Sequence, residues 1–212
     1  IDEAVINHIN EHGLSELSEK YTKIDEIPFD FARRRLSVIV SDGQKTQMIT
    51  KGAVEEILSI STMVDYQCNV SPITNAIKEN IKKITKDLNK QGLRVVAVCQ
   101  KNNLEKTSEF TVSDEKNMVL IGFIGFLDPP KESAKSSIEK LNKNGIRVIV
   151  LTGDNVEVTK CICDKVGIKS PKIIIGSQID KLQDIAIKRL LKKTNIFAKL
   201  SPIQKARIVR LL

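Results

Sequence analysis

Gly145-Ile146-Arg147-Val148-Ile149-Val150-Leu151-Thr152-Gly153-Asp154-Asn155 is the stretch from which the fold is read. Ile146 and Val148 to Leu151 form a short, β-branched apolar run between turn signals, the pattern of a strand buried on both faces of a parallel sheet. Ligands of open α/β sheets bind beyond the carboxyl ends of the strands. The Thr152 hydroxyl, the flexible Gly153 and the Asp154 carboxylate therefore stand where chemistry usually happens. The same residues also suit a plain polar turn capping a helix from about Asn155, because Asp and Asn are good N-caps.

Outward from this stretch the chain alternates. Helices are expected over 131–143, 156–166, 180–193 and from Pro202 onwards, with strands over 146–151, 172–175 and 195–198. Strand and helix in alternation mean βαβ units and a parallel sheet. Before Asp128-Pro129-Pro130 the grammar differs. A helix over 1–10 is followed by strands over 23–27, 36–40 and 44–50, the last two joined at Asp42-Gly43. Then come a helix over 53–60, a loop over 62–71, a helix over 72–91, a strand over 93–99, a polar loop over 102–117 and a strand over 118–127. This half reads as antiparallel sheet with helices. The double proline continues neither kind of element and marks a boundary, giving domains 1–127 and 128–212.

The 212 residues are 41% hydrophobic and 28% charged, enough for real cores and incompatible with a disordered or fibrous chain. Cys68, Cys99, Cys161 and Cys163 show no Cys-x-x-Cys spacing, which favours a reduced, cytosolic compartment. The longest apolar run, 118–127, is half of the roughly 20 residues a membrane-spanning helix needs. A net charge of +8 suits an anionic ligand. The lysines are dispersed along helix faces, Trp is absent and aromatics are 4%, so nucleic acid is not the expected partner.

Two sets of residues could carry chemistry. In the second half, Asp128, Thr152, Asp154 and Lys205 follow strands or open a helix. Lysine neutralises a phosphoryl group, a hydroxyl hydrogen-bonds its oxygen, and aspartates hold or orient Mg²⁺. In the first half, Pro28-Phe29-Asp30-Phe31 precedes Arg33-Arg34-Arg35, and Lys51-Gly52-Ala53 and Gly92-Leu93-Arg94 follow. An aromatic face, a glycine that admits a ligand to the backbone and cations from separate strands suit an adenine with its phosphates. Each has a plainer alternative. Asp128 also suits a turn, Lys205 a surface lysine, Phe29 and Phe31 a core, and the arginines a solvated edge strand.

The order and spacing of FDFARRRLSV (29–38), Lys51-Gly52-Ala53, Asp128-Pro129-Pro130-Lys131, Thr152-Gly153-Asp154-Asn155 and FAKLSPIQKARIV (197–209) closely resemble the cytoplasmic part of the P-type cation-transporting ATPases. The resemblance covers essentially the whole chain and is greatest to the bacterial magnesium-transporting branch. It implies an α/β and α+β chain: an antiparallel ATP-binding domain, then part of a parallel-sheet, haloacid-dehalogenase-like phosphorylation domain with a Rossmann-type sheet. Under it Phe29 matches the aromatic that stacks on adenine, and Lys51, beside Gly52, the lysine of that pocket. Arg94 matches the arginine reaching the nucleotide phosphates and Arg34 a second pocket cation; Asp2 falls where an acidic residue lies near the adenine. Asp128 and Lys131 match the hinge motif, Thr152, Gly153 and Asp154 the phosphate-contacting loop, and Lys205 the lysine on the phosphoryl group.

The family's phosphorylated aspartate lies in Asp-Lys-Thr-Gly-Thr and its magnesium-binding aspartates in Gly-Asp-Gly-x-Asn-Asp; neither string occurs here. The expected object is thus an excised cytoplasmic segment of a plasma or inner membrane pump, using ATP and Mg²⁺ and holding no metal itself. Its partners would be the parent's transmembrane and actuator domains, with the transported cation, Mg²⁺ or else calcium or another ion, bound elsewhere. Such a segment alone would be inactive. A freestanding haloacid-dehalogenase-type phosphatase with the first domain as its cap, and a nucleic-acid-binding module, are the alternatives from other classes.

Overall fold

The structure, a computed structural model, describes residues 2–11, 20–104, 109–169 and 172–212. The chain divides into two compact units, residues 1–85 with 95–126 and residues 86–94 with 127–212. Among the described residues no helix is long and apolar enough to cross a membrane.

The first unit begins with helix α1 (Asp2–Glu11) and is built on a seven-stranded mixed sheet. Its strands are β1 (Thr22–Asp30), β2 (Arg35–Ser41), β3 (Thr46–Ala53), β4 (Ser61–Tyr66), β5 (Asn69–Pro72), β6 (Leu93–Asn102) and β7 (Met118–Leu127), in the order β1-β2-β3-β6-β7-β4-β5. Helix α2 (Val54–Ile60) follows β3 directly, and α3 (Asn75–Lys90) precedes β6. Alternation selects the core face. Ser37 and Ile39, Met48 and Thr50, Ala97 and Cys99, and Met118 and Leu120 are all buried, each two residues from its mate. Ile57 and Leu58 of α2 and Ile81 of α3 cover that face. On α3 Ile81 is buried, whereas Ile84 is 47% exposed.

Two expectations fail in this unit. Residues 62–71 are not a loop but the hairpin β4–β5, with Met63 opposite Pro72 and Tyr66 opposite Asn69. Its turn residues, Gln67 and Cys68, take φ of 53° and 62° without the glycine or asparagine that normally announces such a turn. The sheet is also not purely antiparallel, because β4 runs parallel to β7. The hairpin at 42–45 holds, tightened by Asp42, whose carboxylate accepts from the Gln44 and Lys45 N–H groups and is lowered in pKa by them.

The second unit carries a three-stranded parallel sheet, order β8 (Val150–Leu151), β10 (Ile196–Ala198), β9 (Ile173–Ile175). Helices α4 (Ser133–Lys143), α5 (Val156–Lys165), α6 (Gly176–Ile179), α7 (Asp184–Leu191) and α8 (Pro202–Leu211) complete it. Successive residues of β10 serve opposite layers. Ile196 packs with Cys163 of α5, beside Ile138 of α4, whereas Phe197 packs with Ile179, Ile187 and Ile208. The strand expected over 146–151 is reduced to Val150–Leu151 at the edge of the sheet, with Val148 and Val150 packed against one layer, Ile149 and Leu151 against the other, and Ile146 54% exposed. An apolar β-branched run reports a strand's propensity but not which neighbours the sheet supplies. The helix expected over 180–193 is shorter, α7 over Asp184–Leu191, and the single turn α6 precedes it at Gly176–Ile179.

Gly52 has a packing requirement of its own. It pairs with Arg35 across β2–β3, and a Cβ there would lie 2.5 Å from the Arg35 Cβ and 2.7 Å from the Arg34 carbonyl oxygen. Crowding backbone atoms in this way costs about 1–3 kcal/mol. Gly52→Ala is therefore expected to lower the urea midpoint of unfolding; an unchanged midpoint would show that the strands separate at no cost.

Candidate functional site

In the second unit the loop Thr152-Gly153-Asp154 leaves β8 and is fastened by main-chain bonds to the segment after β10. The Thr152 N–H donates to the Phe197 carbonyl at 3.0 Å, and the Leu200 N–H to the Thr152 carbonyl at 3.0 Å. The Lys199 N–H donates to the Asp154 carbonyl at 2.7 Å. Inside the loop the Thr152 hydroxyl donates to Asp154 Oδ2 at 2.9 Å and accepts from the Asp154 N–H at 3.1 Å. The helix cap is the next residue, Asn155, whose side chain accepts from the Val158 N–H at 2.9 Å. Capping thus does not occupy Thr152 or Asp154.

Arg94 completes this cluster. Its Nη2 donates to Asp154 Oδ2 at 3.0 Å and its Nη1 lies 3.2 Å from Asp128 Oδ2. A cavity of about 280 Å³ opens here, lined by these side chains, Thr152, Pro129 and Pro130, with Ile162 and Cys163 supplying apolar wall. Burial pushes the Cys163 thiol up in pKa, so it is no thiolate nucleophile. A guanidinium next to a hydroxyl, in a recess of this size, can receive an anionic group once the carboxylates give way. Among the described residues no group of three or more His, Cys, Asp or Glu side chains could hold a metal ion.

The structure thus brings Arg94, Asp128, Thr152 and Asp154 together. Lys131 is exposed ahead of α4, and Lys205 is half-buried in the first turn of α8. That helix starts at a capping box, in which Ser201 Oγ accepts from the Gln204 N–H and Gln204 Oε1 from the Ser201 N–H, with Pro202 in the first turn. Gly153 is not forced by crowding, since a Cβ would reach only the Leu200 carbonyl, at 3.4 Å.

In the first unit Phe29 lies at the end of β1, 51% exposed, with its ring edge-on to Phe31 at 5.3 Å between centroids. Neither phenylalanine is a core residue. Lys51 is half-buried in β3, opposite Leu36 and adjacent to buried Thr50, so it faces away from the core. Arg34, at φ 50°, pairs with Glu55 and Glu56 of α2. Asp2 is the first residue of α1, and its side chain lies outside the described residues.

The residue that sequence reasoning missed is Glu115, in the stretch 102–117 taken as a polar loop. Its side chain is sealed from solvent. Both carboxylate oxygens lie 2.9 Å from Arg33 Nη1, Oε2 accepts from Arg35 Nε at 2.7 Å, and Oε1 from Ser37 Oγ at 2.7 Å. Burial drives its pKa up, but the bonds from Ser37, Arg35 and Arg33 outweigh burial and leave it below the ordinary 4.5. One signal was available. Thr111-Val112-Ser113-Asp114 is a capping box, and it opens the short 3₁₀ turn Val112–Asp114 that presents Glu115.

The family described as "P-type ATPase, cytoplasmic domain N" matches residues 2–133, and the chain belongs to that family. Over its full length the chain is 42% identical to "Magnesium-transporting ATPase, P-type 1" of Salmonella typhimurium, covering 24% of that protein. It is 40% identical to the protein of the same name from Escherichia coli, again over its full length and 24% of the relative. A calcium-transporting ATPase of Listeria monocytogenes is 30% identical over 95% of the chain and 23% of its own length. The chain spans about a quarter of the length of the curated relatives it matches.

The lowered pKa of Glu115 fixes a pH dependence. Its stabilisation is fully present above the ordinary 4.5 and is lost as pH falls through the lower folded value. Urea midpoints measured down through this range should fall more steeply for the parent chain than for Glu115→Gln. Parallel slopes would contradict the paired, ionised state of Glu115.

Proposed function

We propose that this chain is the ATP-binding cytoplasmic segment of a membrane cation pump whose cargo is Mg²⁺. The family membership and the magnesium-transporting relatives support that reading. The observation that carries its chemistry is Phe29, a large aromatic left half-exposed at a strand end, where an apolar ring gains from a flat partner. Residues 1–127 form the nucleotide-binding domain, with Phe29 stacking on adenine, Lys51, Gly52 and Arg34 lining the pocket, Asp2 near the adenine and Arg94 reaching the phosphates. Residues 128–212 form part of a haloacid-dehalogenase-like phosphorylation domain, a reading supported by helices on both sides of a parallel sheet.

In the parent pump a carboxylate oxygen of the aspartate in Asp-Lys-Thr-Gly-Thr would attack the γ-phosphorus of ATP. The bond from that phosphorus to the bridging oxygen breaks and ADP leaves. On this chain the Thr152 hydroxyl would hydrogen-bond an oxygen of the transferring group, the Lys205 ammonium would neutralise its charge, Asp154 would orient Thr152, and Asp128 and Lys131 would form the hinge motif. Hydrolysis of the acyl phosphate would drive transport. Among the described residues the carboxylates do not group into a Mg²⁺ site.

Stacking contributes about 0.5–1.5 kcal/mol beyond burial. Phe29→Ala should therefore weaken ATP binding by up to about tenfold in an NMR titration. An unchanged affinity would remove Phe29 from the site. The 212-residue chain, lacking the aspartate motif, should take no acid-stable ³²P from γ-labelled ATP; labelled aspartate would contradict the role assigned to the missing motif.

A further inference from the structure

Phe29 is positioned by very little of its own. Its side chain is half-exposed, and the neighbouring ring, Phe31, is 69% exposed. The β1–β2 ladder gives no regular support either. Ile27 pairs with Ser37 and Asp30 with Arg35, but the register is irregular between Ile27 and Asp30, across Pro28 and Phe29. Proline offers no N–H to a ladder. An exposed ring on an unladdered backbone would sample many orientations and lose entropy on binding a flat ligand.

The backbone is held another way. The Pro28 carbonyl accepts from Arg33 Nη2 at 2.7 Å, and the Nη1 of the same guanidinium is seated on Glu115. Glu115 is anchored in turn by Arg35 and Ser37 of β2, a strand whose Ile39 is fully buried. The intervening turn is closed by the Arg34 N–H donating to the Asp30 carbonyl at 2.6 Å and by the Ala32 N–H donating to Asp30 Oδ1 at 2.6 Å. A planar fork with donors on separate nitrogens can bridge a carboxylate and a carbonyl at once.

We infer that Arg33 and Glu115 are positioning residues of the nucleotide site: Glu115 fixes the Arg33 guanidinium, which pins the Pro28 carbonyl and so orients the Phe29 ring for stacking. This deepens the adenine-binding assignment of Phe29 and rests on it. Arg33 acts on the nucleotide only through Phe29. Its guanidinium is taken up by Glu115, Asp30 and the Pro28 carbonyl, and its side chain is mostly covered.

The test is a double-mutant cycle on the 212-residue chain with Arg33→Lys and Phe29→Ala, reading ATP affinity, the Phe29 ring and backbone resonances of the nucleotide-free protein, and the urea midpoint. Lysine keeps the charge and lacks the fork. Arg33→Lys should weaken ATP binding by about fivefold in the parent and by nothing further in the Phe29→Ala background, as coupling through one group requires. It should also shift the Phe29 resonances. Glu115→Gln, which keeps shape and the Ser37 partner, should act in the same direction and covers the case in which Arg33→Lys fails to fold. Equal losses in both backgrounds, or Phe29 resonances unmoved by either variant in folded protein, overturn the proposal. If Phe29→Ala itself leaves ATP affinity unchanged, the nucleotide assignment falls, and the resonances of the nucleotide-free chain alone decide whether Arg33 orients the ring.

Discussion

The Glu115 carboxylate, closed off between Arg33, Arg35 and Ser37, sets the geometry on which the first unit depends. A buried ion is tolerated only when paired and hydrogen-bonded, and removing one partner of such a pair costs about 3–5 kcal/mol. Here two guanidiniums and a hydroxyl share one carboxylate, and the Ser37 hydroxyl is further linked to Thr50 at 2.7 Å. The demand propagates across the sheet. Arg35 reaches Glu115 from β2 only because its cross-strand neighbour is Gly52, whose missing Cβ leaves room for the Arg35 Cβ. Glycine, arginine and glutamate are thus one constraint written at three distant places in the chain.

The second unit relies on the main chain instead. The Arg94–Asp128 pair is a weak support for the loop, because both side chains are substantially exposed and such a pair contributes at most about 1 kcal/mol. What orients Thr152 and Asp154 is the set of N–H and C=O bonds to residues 197–200, the segment that also carries the Ser201 cap and the start of α8. The loop and the helix bearing Lys205 therefore share one backbone frame. A ligand entering the cavity competes with Asp128 and Asp154 for Arg94, so the recess is filled electrostatically without being filled sterically.

Much of this was legible in the sequence where a residue's role is local. The Asp42-Gly43 hairpin and the start of α8 at Ser201-Pro202 follow from turn chemistry and capping, and the small parallel sheet of the second half from its alternation. Thr152 and Asp154 stand out as candidates because a strand end exposes them, whereas Arg94, grouped in the sequence with Phe29 and Lys51, lies beside Asp154 across 60 residues. What escaped was non-local. The β4–β5 turn uses Gln67 and Cys68 at positive φ, which propensity disfavours and tertiary pairing imposes. The arginine run was read as pocket or edge, whereas Arg33 and Arg35 answer a glutamate 82 and 80 residues away. The capping box at Thr111 marks the turn before Glu115, but no local pattern marks that acid for burial.

The account's central claim is that an adenine ring lies against Phe29, and intermolecular nuclear Overhauser effects between ATP and a chain labelled in its phenylalanine rings test it most directly. Cross-peaks from the adenine H2 and H8 protons to the Phe29 ring, absent in Phe29→Ala, are the expected result. Adenine cross-peaks to other residues and none to Phe29 would contradict it.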